Sequence, residues 1–301
     1  MYCQQQINHF SSNFKSKVLI SLTVLSAVFL SSCKKGDAGN DATVLKINGS
    51  TTVNLPVAEA AEELRVNKGM TIQVDTQGGS SGGISMLGEG LVQLGMASKP
   101  ITEKDREKFP DCDFHQIHVG EDAVALIVSK DVWNGGIKAI SQGEMQSIYE
   151  RRITNWKELG GPDQRIAFFN KEPGRGTWEV FAKWAYGSAK KAPAVSFPEV
   201  GGNEETRSKV ATTRGALSQL SSSWVDNESI FALALKDEKG VAIAPTNENI
   251  ISSAYSMRRP LFLLSNGEPT GLAKEFVDFM LGERGQELVR KHSYLALDDL
   301  K

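Results

Sequence analysis

Gly49-Ser50-Thr51-Thr52, Gly78-Gly79-Ser80-Ser81-Gly82-Gly83, Ala97-Ser98 and Gly174-Arg175-Gly176-Thr177 decide how this chain reads. Each joins small residues to hydroxyls where a β-forming run gives way to a helical pattern. A helix start carries backbone N–H groups without intrahelical partners, and its dipole favours negative charge. Four such segments meeting at one point would wrap a small oxyanion in donors. The pattern fits a receptor for an anion better than a catalytic centre.

Outward from these segments, short apolar runs alternate with amphipathic stretches, which predicts an α/β fold. Strands are expected over 44–48, 71–77, 92–97, 114–119, 123–128, 165–169, 241–244 and 261–264. Helices are expected over 52–66, 82–89, 103–108, 142–149, 177–186, 204–213, 271–281 and 283–291. The β-forming run Glu121-Asp122-Ala-Val-Ala-Leu-Ile-Val-Ser129 is long enough to cross from one domain to another. A return crossing near 246–258 would make the first domain discontinuous.

With 301 residues, 40% hydrophobic and 23% charged, the chain can bury two modest cores. A net charge of −2 and short basic runs argue against a nucleic-acid partner. At the N-terminus, Lys15 and Lys17 precede an apolar run from Val18 to Leu30, the length of a signal-peptide core. The run ends in Leu30-Ser31-Ser32-Cys33, which looks like a bacterial lipobox. Residues 1–32 are therefore expected to be a signal peptide, Cys33 a lipidated residue, and 33–43 a flexible tether. Cys3 would leave with the leader and Cys33 would be acylated, so Cys112 remains as a free thiol without metal-ligand spacing around it. No cofactor or metal site is expected.

Six blocks, in order, resemble the phosphate-binding protein of the bacterial high-affinity phosphate ABC transporter. They are Gly49-Ser-Thr-Thr-Val53, Gln77-Gly-Gly-Ser-Ser-Gly-Gly-Ile84, Leu94-Gly-Met-Ala-Ser98, Ile148-Tyr-Glu-Arg-Arg-Ile-Thr-Asn-Trp156, Lys171-Glu-Pro-Gly-Arg-Gly-Thr177 and Gly267-Glu-Pro-Thr-Gly-Leu272. The resemblance implies a two-lobed periplasmic binding protein fold, each lobe a mixed sheet flanked by helices, with the ligand in the interlobe cleft. Lobe 1 would comprise 44–126 and 255–301, and lobe 2 would comprise 127–254. It implies a monomer that captures inorganic phosphate outside the cytoplasm and delivers it to membrane permease subunits with their ATPase. The membrane would be reached through the lipid anchor at Cys33, at the periplasmic face or cell surface.

The expected ligand-binding residues are Ser50, Thr51, Thr52, Gly79, Ser80, Ser81, Gly82, Ser98, Lys99, Lys171, Arg175, Gly176 and Thr177. Neutral, compact donors suit an anion that must exchange its water for protein, and glycines allow close backbone approach. Each Ser or Thr taken singly would read as a plain helix cap. Three positions depart from the family pattern. Lys171 and Arg175 stand where arginine and serine are common, and Arg175 is expected to supply the bidentate fork that a lysine lacks. Lys99 stands where an aspartate often accepts the proton of phosphate, which weakens the expected discrimination against sulfate, arsenate and molybdate. A sensor module without a transporter is an alternative. A remote one is a serine hydrolase: Gly79-Ser80-Ser81-Gly82-Gly83 matches G-x-S-x-G, with Ser81 as nucleophile and His115, His118 or His292 as base.

Overall fold

The computed structural model describes residues 43–301. The leader 1–32, Cys33 and the tether up to 42 lie outside the described residues.

Alternation of apolar and polar residues builds β1 (Leu45–Gly49), where Leu45 and Ile47 are buried and Lys46 faces solvent. It pairs in parallel with β2 (Ile72–Asp75) and β3 (Leu94–Ala97). Between them run α1 (Asn54–Lys68) and α2 (Gly79–Gly88), followed by α3 (Glu103–Lys108). Next comes β4 (Phe114–Ser129). The sequence reads this stretch as two strands, 114–119 and 123–128. They are one strand because Gly120, Glu121 and Asp122 stay extended and pair with β12 (Arg258–Asn266).

The middle of the chain supplies α4 (Lys130–Asn134), β5 (Ala139–Ser141), α5 (Gln142–Tyr149), β6 (Ala167–Lys171), α6 (Gly176–Tyr186), β7 (Glu199–Val200), α7 (Asn203–Thr212) and β8 (Ala216–Ser221). Then follow β9 (Ile230–Ala232), β10 (Ala234–Lys236), β11 (Ala242–Ile243) and α8 (Asn247–Ile251). After β12, the chain closes with α9 (Gly271–Leu281) and α10 (Glu283–Lys291).

The main sheet runs β2-β1-β3-β12-β4-β8-β6-β7, with β9 on β4; β11-β10-β5 form a small second sheet. Strand β4 is the shared member. Up to Ala123 it pairs antiparallel with β12, and from Val124 to Val128 it pairs antiparallel with β8. Two cores follow this division. One packs α1, α9 and α10 on β1, β3 and β12 around Ile47, Leu64, Leu263 and Phe276. The other packs α5 and α6 on β4 and β8 around Leu126, Tyr149, Phe181 and Leu217. Tyr255 and Met257 pack in the second core, and the Tyr255 hydroxyl donates to the Val124 carbonyl at 2.9 Å. Trp156, fully buried, donates its Nε1–H to the Gly215 carbonyl at 3.0 Å. Cys112 is buried beside Phe109 and Phe114, and burial pushes its thiol up, as for an unreactive core residue.

Candidate functional site: an anion cavity between the two lobes

Strand β1 ends at Gly49, whose φ of +143° places a would-be Cβ 2.2 Å from the Met96 carbonyl oxygen. Only glycine lets the chain turn this tightly against β3. The turn delivers Ser50, Thr51 and Thr52, and Ser50 Oγ accepts from the Thr52 and Val53 N–H groups at 3.3 and 3.5 Å. Gly78 and Gly79, both at positive φ, then open α2 beside it. Ser98 follows β3, and its N–H donates to Ser80 Oγ at 3.1 Å.

From the other lobe come Arg175 and the first residues of α6. A Cβ on Gly176 would lie 2.4 Å from Ser98 Oγ, so the lobes meet backbone to side chain. Ser81 Oγ donates to the Gly174 carbonyl at 2.8 Å, and Asn203 Nδ2 donates to Thr52 Oγ1 at 3.1 Å. These contacts draw the lobes around a small cavity that leaves about 10 Å³ for the centre of a water-sized guest. From lobe 1 it is lined by Ser50, Thr51, Thr52, Gly79, Ser80 and Ser98, and from lobe 2 by Arg175, Gly176, Thr177 and Asn203.

Three helices begin at this cavity: α2, α6 and α7. Not one of them has a side-chain cap. Away from it, α3 and α5 carry full capping boxes from Thr102 and Ser141. Helices α4 and α10, away from the cavity, also lack a side-chain cap, so what sets α2, α6 and α7 apart is that their uncapped first turns meet at one cavity, a geometry suited to an anion. Arg175 adds a cation. Its Nε and Nη2 both lie 2.7 Å from Glu172 Oε2, while its Nη1 is buried with no partner. An unpaired buried guanidinium N–H is costly unless something accepts from it.

The remaining sequence-derived residues lie elsewhere. Gly82 is a packing glycine, since a Cβ there would meet the Gln77 carbonyl oxygen at 2.0 Å. Ser81 and Lys99 form a chain behind the cavity wall: Lys99 Nζ donates to Ser81 Oγ at 3.2 Å and pairs with Glu179 at 3.4 Å. Lys171 points away from the cavity. Its ammonium donates to the carbonyls of Gly201 and Gly202 at 2.9 and 3.0 Å, to Thr206 Oγ1 at 2.5 Å and to Asn203 Oδ1 at 3.4 Å. It fastens the start of α7. Burial, then the charges of Arg175 and Arg259, push it well below the usual lysine range.

Asp122 and Glu172 do not line the cavity either. Asp122 is fully buried against Arg259, at 2.7 Å, and accepts from Ser221 at 2.9 Å. Burial pushes its carboxyl up; Arg259 and Ser221 oppose the shift. The described residues contain no hydrolase triad around Ser81. His115, His118 and His292 sit beside Glu268, Glu121 and Glu59 instead.

Sequence reasoning missed Asn203 and Arg259. Gly201-Gly202-Asn203 opens a helix as the other glycine segments do, so its composition held a usable signal. Arg259-Pro260 gives no such signal within a strand.

The chain belongs to the PBP superfamily, whose domain model matches residues 36–284. A curated relative, the phosphate-binding protein PstS of Bacillus subtilis, is 33% identical over 85% of this chain and 82% of that protein. Among solved structures, a putative phosphate ABC transporter substrate-binding protein with bound phosphate from Clostridium perfringens superposes with a TM-score of 0.74. It is 28% identical and covers 84% of this chain and 99% of its own. An ABC-type phosphate transport receptor from Vibrio cholerae gives a TM-score of 0.65 at 26% identity, covering 83% and 99%.

Proposed function

We propose that this protein binds inorganic phosphate in the interlobe cavity and delivers it to the permease of an ABC transporter. The observation that carries the reading is the convergence of three uncapped helix starts on a cavity walled by hydroxyls and by the unpartnered Arg175 Nη1. Such a shell replaces the water of a tetrahedral anion with fixed donors. The ligand-binding set is Ser50, Thr51, Thr52, Gly79, Ser80, Ser98, Arg175, Gly176, Thr177 and Asn203. The lobes follow the expected 44–126 with 255–301, and 127–254, except that Ala123, Val124, Leu126, Tyr255 and Met257 go with the second lobe, in whose core they pack. The protein works as a non-enzymic, extracytoplasmic monomer.

A second reading, a receptor for several oxyanions, is favoured by one feature. No carboxylate is among the residues that line the cavity. Isothermal titration with phosphate, sulfate, arsenate and molybdate tests both readings. Tight one-site binding of phosphate is expected. Silence with all four ions removes the anion-receptor reading, and equal affinity for sulfate and phosphate selects the broader one.

Lipid attachment at Cys33 is part of the same proposal. Cys33→Ser is expected to move the protein from the membrane fraction to the soluble one, because one residue would carry all the acyl chains. Retention of that variant in washed membranes would refute the anchor.

A further inference from the structure

Strand β6 has β8 along one edge, and its other edge is covered only in part. The Ala167 N–H donates to the Gly215 carbonyl on the β8 side at 2.9 Å, so its even-numbered neighbours face the other edge. There the Ile166 N–H donates to the Thr154 carbonyl at 2.8 Å, and the Asn170 N–H donates to the Pro198 carbonyl at 2.9 Å. Strand β7 pairs with Asn170 and Lys171 and reaches no further back. Four residues of extended chain span about 13 Å, so the segments at 154 and 198 stand apart with Phe168 between them. Residues from all three segments line a groove of about 510 Å³. Ile153, Ile166, Phe168, Phe197 and Pro198 give it an apolar lining, and Ile153, Ile166 and Phe197 are only half-buried there. None of these residues lines the anion cavity.

Three arginines, Arg151, Arg165 and Arg214, line the same groove, and no carboxylate does. Three cations without an acid stand out in a chain of net charge −2. Among the described residues, no ion pair involves Arg151 or Arg165. Arg214 only approaches Asp131, at 4.0 Å, with its side chain 85% exposed. A pair that open to water contributes little. Arg151 is held in place: its Nη2 donates to the Ser196 carbonyl, and its guanidinium lies 4.9 Å from the centre of the Phe197 ring. Its φ of +60° is a conformation that favours glycine, so the fold bears a cost to keep a side chain there.

We propose that this groove is a docking site for an extended acidic segment of a partner protein, one in which Asp or Glu alternates with aliphatic or aromatic residues. A guanidinium presents a planar fork that matches a carboxylate, and Arg151 is already oriented, so less freedom is lost on binding. The apolar lining takes the side chains between the acids. Arginine beside aromatic surface is also the composition of interface centres. A small anion would use the arginines and leave the apolar lining wet. A membrane surface is too broad to enter between the segments at 154 and 198. The groove shares no residue with the anion cavity, so this inference and the phosphate reading stand or fall separately.

The test is an array of short synthetic peptides that combine Asp or Glu with Leu, Ile and Phe. Counterparts replace each acid by Lys, or each apolar residue by Ser. The array is probed with the wild-type protein, and the best binder is then titrated in solution by fluorescence polarisation. Acidic, apolar peptides are expected to bind, and both sets of counterparts are expected to bind weakly or not at all. Arg165→Gln/Arg214→Gln is expected to weaken the best peptide at least about tenfold. Both residues are exposed, so the variant should melt like the wild type and titrate phosphate identically. Vesicles of phosphatidylglycerol are mixed with both proteins as a further arm. Three results overturn the proposal: an array on which no acidic, apolar peptide outbinds its counterparts, equal peptide affinity in wild type and variant, or vesicle binding that depends on the two arginines while peptide binding does not.

Discussion

Arg175 and Lys99 both bring a cation close to the cavity, but their partners differ. Arg175 leaves Nη1 buried and unpaired at the cavity wall, whereas Lys99 is engaged with Ser81 and Glu179. A charge-assisted hydrogen bond contributes about 1.5–3 kcal/mol. Arg175→Ala is therefore expected to weaken phosphate binding at least about tenfold. Lys99→Ala should change affinity far less and act mainly on the association rate, as a rim charge does. Stopped-flow rates at low and high salt check this; equal dissociation defects in the two variants would contradict it. Lys171 is a different case, a lysine used as a structural strut. Lys171→Met removes a donor from the Gly201 and Gly202 carbonyls and should cost about 2–3 kcal/mol of stability, read by urea unfolding. A large affinity loss without a stability loss would return Lys171 to the ligand.

At the level of elements, α3 and α5 cap themselves, whereas α2, α6 and α7 bring uncapped starts to the cavity. Thr102 and Ser141 satisfy the starts of α3 and α5. Ser141→Ala should lower stability by about 1 kcal/mol and leave affinity alone. Gly176→Ala acts the opposite way. The added methyl would sit 2.4 Å from Ser98 Oγ and 2.7 Å from the Ser98 carbonyl oxygen, wedging α6 off the cavity. Phosphate affinity is expected to fall at least about tenfold, with a smaller change in the melting temperature of the ligand-free protein. Calorimetry and melting of both variants test the pair together. Strand β8 shows why one central element escapes a reading of periodicity. Its Ala-Leu-Ser-Gln-Leu-Ser pattern is buried throughout, and the polar residues are satisfied inside. Ser218 donates to the Phe169 carbonyl at 2.7 Å, Gln219 to Asn170 Oδ1 at 3.1 Å and Ser221 to Asp122 at 2.9 Å. Alternation marks strands with one wet face, and β8 has none.

Over the whole molecule, the two lobes share β4 and touch again at the cavity through Ser81–Gly174, Asn203–Thr52 and Arg259–Thr177. A ligand held by both lobes stabilises this closed arrangement by mass action. Phosphate at a hundredfold excess over its Kd should add about 2.7 kcal/mol of stability. The melting temperature should rise with the logarithm of phosphate concentration, and Arg175→Ala should need proportionally more phosphate for the same shift. A melting temperature indifferent to phosphate would mean that the folded protein does not bind it.

The sequence alone determined the α/β class, most helices, and the glycine-hydroxyl segments that meet at the cavity. These are local properties: α5 spans 142–149 as its pattern predicts, because its capping box and apolar stripe are written in adjacent residues. Tertiary structure decided which donors face the cavity and which hold the fold. Lys171, Ser81, Gly82 and Lys99 lie in segments whose neighbours line the cavity, yet their own atoms are committed to carbonyls, carboxylates or tight packing. Asn203 and Arg259 enter from 151 and 207 positions beyond Thr52, brought there by α7 and by the register of β12 on β4.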